Sequence, residues 1–350
     1  MLEVTKLSQP QRRPARIGIT LGDPAGIGPE IVVKALLELE PERAWTPVLF
    51  GNPHVLQAAL DLVGASRRVK VLDDVAAVDD DPRVLSLVAT AADPEPVPYG
   101  VVGSRGGEEA GRAIMAVVDA AKSGAVDVIN TAPLNKEALR LAGYHYPGHT
   151  EMLAERFGVD GVYTMFEVDT LRIFFLTRHH PLSEVPALLG VAQVHAGITR
   201  CLGFLKDLGV ETPVLAVAAL NPHGGEHGLL GTEERAILEP AIKQAQSEGH
   251  RVEGPIPADA VFYQARMGRY AGVLSLYHDQ GHIAAKTLDF YGTVSVTLGL
   301  PVLRTSVDHG TAFDIAGRGV ANAHGQVAAL SAAGAWGARA RWSTKQPKER

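Results

Sequence analysis

The sequence predicts an α/β fold of three layers, in which helices cover both faces of a largely parallel sheet. Short apolar runs rich in β-branched residues alternate along the whole chain with longer stretches of helical periodicity. This alternation is typical of repeated βαβ units. The chain has 350 residues, of which 46% are hydrophobic and 21% charged, and this is enough to build the large core that such a sheet requires.

Each predicted strand is a short apolar run bounded by Gly, Pro or polar residues. The predicted strands are residues 16–21, 47–51, 69–72, 126–130, 161–166, 171–176, 213–220, 272–277 and 294–297. The predicted helices between them are residues 29–39, 53–63, 108–123, 135–141, 191–208 and 233–248. Residues 79–99 are rich in Asp and Pro, which predicts an irregular connection.

The order of these elements favours two lobes with a cleft between them. Residues 125–213 are predicted to form one lobe, and residues 16–124 together with 214–343 are predicted to form the other. Residues 1–15 and 344–350 are predicted to be flexible, charged tails.

The overall composition limits the kinds of partner. The formal net charge is −6, whereas a nucleic-acid-binding surface needs a basic footprint. A small anionic substrate needs only a local cluster of cations or backbone N–H groups. Cys201 is the single cysteine, which leaves no intrachain disulfide and fits a reducing cytoplasm. No apolar run reaches the roughly 20 residues of a membrane span, and no signal peptide is recognised. A cytoplasmic location with no membrane partner is therefore expected.

Two loops in the first half of the chain carry glycine or polar residues after predicted strands. The segment GDPAGIGPE joins a strand to a helix, and its three glycines permit positive φ and close approach to a ligand. Ile31 stands where a dinucleotide fingerprint needs its third glycine, so the loop is either a tight turn or an anion site. His149 and Thr150, in the later segment GHTE, either face a site or begin a helix.

The histidine distribution is more informative. His179, His223 and His278 each come soon after a different predicted strand. Ligands in open α/β sheets bind at the carboxyl ends of strands, so these imidazoles are expected to converge. One such histidine alone is an ordinary surface residue, but three with open coordination positions describe a catalytic metal site. The distribution therefore favours a metal centre.

Two cations and one loop in the last quarter of the chain complete the candidate residues. Arg304 offers a planar fork for a carboxylate or phosphate group, and Lys286 is a second candidate cation. The ordinary alternative for both is a solvated side chain. Asp308 and His309 belong either to a site or to a structural network that holds their loop.

Eight segments of the chain, in order, resemble one known family. They are GDPAGIGPE, NTAPLNKEAL, GHTE, LNPHGGE, GPIPAD, YHDQGH, TLGLP and RTSVDHGTAFDIAG, and they span roughly residues 16–325. In this order they are similar to the 4-hydroxythreonine-4-phosphate dehydrogenase family of vitamin B6 biosynthesis. The resemblance implies an α/β/α fold like that of the isocitrate and isopropylmalate dehydrogenases. It also implies a homodimer with shared active sites in a cleft between the lobes, and dimer contacts are expected in the lobe of residues 125–213.

The resemblance further implies a divalent metal held by three histidines, one of them from the partner subunit. The matching positions in this chain are His179, His223 and His278. The positions that match substrate-binding residues of the family are His149, Thr150, Lys286 and Arg304.

Two positions depart from the biosynthetic members. Ser295 stands in the substrate site where those members carry asparagine, and His282 follows HDQG where they carry an apolar residue. A sister group that resembles this chain acts on 4-phospho-D-threonate or 4-phospho-D-erythronate and gives dihydroxyacetone phosphate. A more distant branch oxidises aromatic cis-dihydrodiols, and the retained NKE and TSVDHGT segments argue against it.

The expected activity is NAD-dependent, divalent-metal-dependent oxidation and decarboxylation of a four-carbon phosphorylated hydroxy acid. A metal ion acidifies the hydroxyl that is oxidised, and Asp259 and Lys286 are the candidate acid–base residues. The rival hypothesis is a metal-dependent lyase or hydrolase that uses the histidines without NAD.

The cofactors are predicted less sharply. Because no dinucleotide fingerprint is present, contacts to NAD or NADP are expected in the late loops. The candidate residues are Gly224, Gly225, Glu226, Asp308, His309 and Asp314. Three imidazoles favour zinc, while oxygen ligands from a substrate leave magnesium, manganese or cobalt open.

Overall fold

The computed structural model describes residues 13–91 and 93–337. The predicted C-terminal tail and residues 1–12 of the predicted N-terminal tail lie outside these ranges. The strands are β1 (Ala15–Thr20), β2 (Trp45–Gly51), β3 (Arg68–Leu72), β4 (Val84–Ala89), β5 (Val128–Thr131), β6 (Tyr163–Val168), β7 (Leu171–Phe175), β8 (Leu215–Ala218), β9 (Val252–Ile256), β10 (Gly272–Ser275), β11 (Val294–Leu298) and β12 (Leu303–Val307). The α-helices are α1 (Gly28–Leu39), α2 (Pro53–Leu62), α3 (Ser104–Lys122), α4 (Lys136–Leu141), α5 (His149–Phe157), α6 (Val185–Leu188), α7 (Val191–Asp207), α8 (Glu239–Ser247), α9 (Ala258–Arg266), α10 (His278–Leu288) and α11 (His324–Gly337).

All of these strands form one sheet, in the order β3-β4-β2-β1-β5-β12-β11-β6-β7-β10-β8-β9. The strands from β3 to β12 pair in parallel and form what we call the first wing. The strands from β7 to β9 also pair in parallel and form the second wing. Between the wings, β11 is antiparallel to both of its neighbours, and β6 is antiparallel to β7. The two wings therefore run in opposite directions.

This reversal decides where the functional loops lie. The loops that follow β1, β5 and β12 lie at the edge where the first-wing strands end, which we call the first edge. The loops that follow β7, β8 and β10 lie at the opposite edge, the second edge. The predicted parallel arrangement is confirmed within each wing, but the antiparallel centre separates the two sets of loops.

Helices cover both faces of the sheet, which confirms the predicted three layers. One face packs on α1, α2, α7, α8 and α11, and the other on α3, α4, α5, α9 and α10. Successive side chains of a strand alternate between the faces. In β11, Val294 and Val296 belong to the core beneath α11, so Ser295 and Thr297 lie on the opposite face.

Three strands were not predicted, and each has a physical reason. β4 lies inside the segment predicted to be irregular, because the Asp and Pro residues flank its apolar run VLSLVA rather than interrupt it. β9 contains Gly254 and Pro255, which are unfavourable in strands. β12 contains Arg304, a residue type that is rarely buried without a partner.

Within the described residues, no single helix is long and apolar enough to cross a membrane. The pair Leu182–Leu188 and Val191–Asp207 reaches that length only when its two arms, which are bent by 91°, are counted together.

Candidate active site

The loops at the first edge are bound tightly to one another. The backbone N–H of Asp23 donates to the carbonyl of Pro133 over 3.0 Å, and that of Ile27 donates to Thr311 over 3.0 Å. Gly22 has φ +75°, and a Cβ on Gly26 would lie 2.8 Å from the Cβ of Thr311. These glycines let three loops pack together, which favours the tight turn over the anion site for this segment.

Arg304 lies in the interior beneath these loops. Only 4% of the residue is exposed. Its Nη2 and Nε donate to Oγ1 of Thr131 over 2.6 and 3.1 Å, and its Nη1 donates to Oγ1 of Thr297 over 3.0 Å. Among the described residues, Arg304 forms no ion pair. Burial lowers its pKa to about 10, with part of the effect offset by the charge of Glu151, so the guanidinium stays charged at neutral pH without a direct ion pair in the part of the chain that the structure describes.

His149 and Thr150 begin α5, and the position of His149 is consistent with both predicted alternatives. Its Nε2 is buried and has no hydrogen-bond partner among the described residues. Burial, together with the positive charges of Arg304 and Lys136, holds the pKa of His149 well below its ordinary value. A neutral imidazole therefore lies in the field of two cations at the first edge. We call His149, Arg304 and Lys136 the anion cluster.

Lys286 on α10 and Ser295 on β11 lie on the side of β12 that faces the second wing. The Nζ of Lys286, in the last turn of α10, lies 2.7 Å from Oδ2 of Asp308. Ser295 pairs with Phe166 across one ladder and with Ser306 across the other. Since paired residues share a face, Ser295 lies on the side of the sheet that α10 covers.

At the second edge, the predicted metal ligands follow three neighbouring strands, β7, β10 and β8. The rings of His179 and His278 have centroids 5.8 Å apart, close enough for both to face one ion. The side chain of His223 is 66% exposed and turns toward Glu226. Within residues 13–91 and 93–337, no three His, Cys, Asp or Glu side chains already surround a common point. The structure thus brings two of the three predicted ligands together.

The donor chemistry of these histidines fits a metal ion. The Nδ1 of His223 lies 2.8 Å from Oε1 of Glu226, and the Nδ1 of His278 lies 2.7 Å from Oδ1 of Asp279. Because a carboxylate only accepts, each Nδ1 carries a proton, and in the neutral imidazole the lone pair is then on Nε2. A metal-binding histidine usually donates its other N–H to a carboxylate or carbonyl in this way. In their neutral form, two of the predicted ligands therefore have the tautomer that a metal ion needs.

The chain adopts an unusual backbone to present His223. Six successive residues have positive φ: His223 at 52°, Gly224 at 69°, Gly225 at 79°, Glu226 at 41°, His227 at 59° and Gly228 at 101°. The three non-glycine residues carry a cost of about 1–2 kcal/mol each in this conformation. The buried carboxylate of Glu234 holds the start of the turn, since it accepts hydrogen bonds from the backbone N–H groups of Leu220 and Asn221.

Two residues that sequence reasoning did not single out position the second edge. Gln280 accepts a hydrogen bond from the N–H of Leu276 over 2.8 Å and donates to the carbonyl of Ala219 over 2.7 Å. It therefore ties the loop after β10 to the loop after β8. A Cβ on Gly281 would lie 2.6 Å from the ring of Phe175, so α10 lies against the sheet only because residue 281 has no side chain. The sequence signal for both residues was the HDQG segment, in which they follow two polar residues at the start of α10.

The remaining predicted residues are divided between the edges. Gly224, Gly225 and Glu226 lie at the second edge, as does Asp259, whose charge adds to that of Glu226 in raising the pKa of His223. Asp308, His309 and Asp314 follow β12 at the first edge. Within one chain, the two predicted cofactor-binding segments thus lie at opposite edges of the sheet. Their roles, and those of the other site residues, stay predictions.

The structure is that of a three-layer α/β protein whose interior holds an arginine that forms no ion pair among the described residues. The family model described as "Pyridoxal phosphate biosynthetic protein PdxA" matches residues 43–333. The chain belongs to this family, as its sequence motifs predicted.

Individual relatives extend over nearly the whole chain. A Cutibacterium acnes protein named "Putative D-threonate 4-phosphate dehydrogenase" is 48% identical over 308 residues, which cover 87% of this chain and 89% of that protein. A crystal structure of 4-hydroxythreonine-4-phosphate dehydrogenase from Klebsiella pneumoniae is 38% identical, with a TM-score of 0.84 over 93% of this chain and 99% of that one. The corresponding enzyme from Burkholderia phymatum is 38% identical, with a TM-score of 0.83 over the same shares.

Proposed function

We propose that this protein is an NAD-dependent, metal-dependent dehydrogenase that oxidises and decarboxylates D-threonate 4-phosphate. The observation that carries the proposal is the buried charge of Arg304, which forms no ion pair among the described residues, together with the Nε2 of His149, which has no hydrogen-bond partner among them. Glu151 acts on Arg304 only through its charge, and a buried cation without a direct ion pair is costly, so an anionic substrate group would supply the missing contact. The relatives named above support the reaction class, and the name of the Cutibacterium protein supports the choice of substrate.

We propose that the active site forms between two copies of the chain. Four strand-to-strand steps separate β12, which carries Arg304, from β10, which precedes His278. At roughly 4.8 Å per step, the anion cluster and the metal ligands of one chain are separated by at least about 19 Å across the sheet, and they lie at its opposite edges. A four-carbon phosphorylated acid is too short for that distance. In a homodimer the first edge of one copy meets the second edge of the other, and both groups then reach one substrate.

His179, His223 and His278 are the proposed metal ligands, supplied at each site by the copy opposite the one that supplies Arg304, and zinc is the proposed ion because all three are imidazoles. When bound, the ion supplies Lewis acidity at the substrate hydroxyl, and NAD supplies the hydride acceptor. Arg304 and Lys286 bind the anionic ends of the substrate and fix its direction. Asp259, whose charge helps to raise the pKa of His223, is the proposed acceptor of the hydroxyl proton.

These groups account for the hydride and the protons that move in the reaction. Oxidation removes a hydride from carbon and a proton from oxygen, and it leaves a β-keto acid. Loss of CO₂ breaks the bond to the carboxyl carbon, and a proton must then be delivered to the carbon left behind. Lys286, whose three N–H donors lie at the far end of α10 from His278, is the proposed donor of that proton.

The same assembly accounts for the other predictions. When two copies meet, the cofactor segments at Gly224–Glu226 and at Asp308–Asp314 come together from different chains, and we propose that NAD lies between them. We also propose that residues 125–213 form one lobe with the dimer contacts, and that the protein works in the cytoplasm.

The test is a direct comparison of substrates. Enzyme, zinc and NAD are mixed separately with D-threonate 4-phosphate, D-erythronate 4-phosphate and 4-hydroxythreonine 4-phosphate, and reduced cofactor is followed by absorbance. We expect the highest kcat/KM with D-threonate 4-phosphate. A preference for the amino substrate would overturn the substrate assignment, and substrate consumption without reduced cofactor would overturn the dehydrogenase.

A further inference from the structure

His282 lies beside a proposed metal ligand. It is four residues after His278 on α10, so the two side chains lie on one face of the helix. Their ring centroids are 3.5 Å apart and their planes differ by 10°. This is a face-to-face stack, which is the closest ring contact in the described residues.

Two phenylalanine rings also contact the ring of His282. The ring centroid lies 4.4 Å from that of Phe166 and 4.5 Å from that of Phe175. These phenylalanines are only 2% and 4% exposed, and they contact each other edge to face. His282 therefore joins the buried core of the sheet to the ring of His278. We call these four rings the aromatic column.

The polar atoms of His282 restrict it further. Its Nδ1 lies 2.8 Å from the backbone carbonyl of His278. Since a carbonyl only accepts, Nδ1 carries the proton and donates it. The ring is thus fixed by two aromatic contacts, one stack and one hydrogen bond. Asp279 fixes the Nδ1 of His278 at the same time, so the only free atom of the His278 ring suited to a metal is Nε2.

We propose that His282 is a positioning residue that holds the imidazole of His278 in its metal-binding orientation through the aromatic column. The inference rests on the proposed metal centre, and it concerns a residue that is not itself a ligand. An imidazole that rotates freely loses rotamer entropy when it binds an ion, whereas a stacked ring has already lost it. Residues that orient metal ligands typically contribute 10- to 100-fold in affinity.

The experiment measures cobalt binding by metal-free full-length protein, since cobalt reports its coordination through its visible absorption. The variants are His282→Leu, which removes the stack, and His282→Phe, which keeps a ring but removes the hydrogen bond. His195→Leu is the matched control, because His195 is also half-buried on a helix but pairs with Glu248 far from the column. Circular dichroism checks that each variant is folded.

We expect His282→Leu to bind cobalt about 10-fold or more weakly, with a changed absorption spectrum. His282→Phe and His195→Leu should stay within about threefold of wild type. Unchanged affinity and spectrum in folded His282→Leu would overturn the proposal, and so would an equal loss in His282→Phe. If His282→Leu does not fold, His282→Ala, which also removes the stack, replaces it under the same limits.

The failure of the metal centre itself looks different. Wild-type protein that takes up no cobalt, or His278→Ala that takes up as much as wild type, would overturn the proposed metal site and this inference with it. Normal binding by wild type, loss in His278→Ala and no effect in folded His282→Leu would overturn the positioning role alone.

Discussion

The Nζ of Lys286 lies 2.7 Å from Oδ2 of Asp308. This ion pair connects the last turn of α10 to the loop that follows β12. The two side chains are 31% and 26% exposed, so the pair is only partly solvated and Lys286 keeps N–H donors for a further partner. One end of α10 therefore carries a proposed metal ligand, and the other end carries a cation tied to the first edge.

Replacing Lys286 by methionine is expected to lower kcat/KM by about 100-fold or more, since it removes both substrate binding and the proposed proton donor. Steady-state kinetics with D-threonate 4-phosphate measure the loss. Lys243→Met is the matched control, because Lys243 also pairs with a carboxylate but is exposed on α8. A Lys286→Met enzyme with wild-type kinetics would exclude Lys286 from the site.

Arg304→Lys is expected to raise KM strongly although the charge is kept. The planar guanidinium bonds Thr131 and Thr297 at once, and an ammonium group does not reproduce that fork. A loss of about 3 kcal/mol in binding corresponds to a factor of roughly 100 in kcat/KM. Arg200→Lys, which changes an exposed arginine stacked over Tyr163, should leave both constants near wild type. Equal kinetics for the two variants would show that Arg304 does not bind substrate.

Glu226→Gln and Asp279→Asn are expected to weaken zinc binding by about 10- to 100-fold each, because they remove the carboxylate that fixes the tautomer of a ligand histidine. Competition with a chelator measures the affinity. Glu184→Gln is a close control, since Glu184 lies 3.8 Å from His180, a neighbouring histidine that is not a proposed ligand. Should all three variants bind zinc equally, the carboxylates do not support the metal.

His149 is expected to make the protein less stable as the pH falls. Its folded-state pKa is depressed by burial and by the charges of Arg304 and Lys136, whereas the unfolded chain binds the proton near pH 6.5. Below that pH, His149 binds a proton in the unfolded state but stays neutral in the folded state. As the pH falls from 7.5 to 5.5, this difference in proton binding lowers the free energy of unfolding of the wild type by about 1.4 kcal/mol.

His149→Gln should remove this cost, and urea unfolding at the two pH values measures it. His145→Gln, at an exposed histidine in the loop before α5, should follow the wild type. An identical pH dependence in His149→Gln and wild type would show that His149 is protonated in both states alike.

The sequence was a good guide to what lies on each strand and a poor guide to how the strands are ordered. Apolar runs and the polar residues after them marked the β7, β8 and β10 ends, where His179, His223 and His278 follow. No local pattern marks the direction of a strand within a sheet, so the reversal between the wings was not predicted. That reversal, rather than any single residue, separates Arg304 from the histidines.

Buried polar residues were the second limit. The sequence marked Arg304 as a candidate ligand-binding cation but did not predict its burial, because propensity describes residue types and not the hydroxyl groups of Thr131 and Thr297 that accept its hydrogen bonds. Gln280 was not predicted for the same reason, because its role depends on two hydrogen bonds to backbone groups of different loops. The positive φ of His223 was foreshadowed only by the two glycines that follow it.

The separation of the two edges predicts that inactive variants rescue each other. Arg304→Met lacks the anion cluster, and His278→Ala lacks a metal ligand, so neither homodimer is expected to turn over. In a mixed dimer, the first edge of the His278→Ala chain meets the second edge of the Arg304→Met chain, and this one site is intact. Random pairing of a twofold dimer makes about half of the dimers mixed, each with one working site of two, so about a quarter of wild-type activity should return.

Co-expression of the two variants with different affinity tags, followed by sequential purification, isolates the mixed dimer. The purified mixed dimer should then show about half of wild-type kcat at an unchanged KM, because each working site is complete. Co-expressing Arg304→Met with Lys286→Met is the control. Both changes lie in residues assigned to the first-edge side of the site, so a mixed dimer of these two has one defect in each site and should stay inactive. If the Arg304→Met and His278→Ala mixture also stays inactive while forming dimers, both groups act within a single chain, and the 12-stranded sheet must then bend enough to bring its two edges to one substrate.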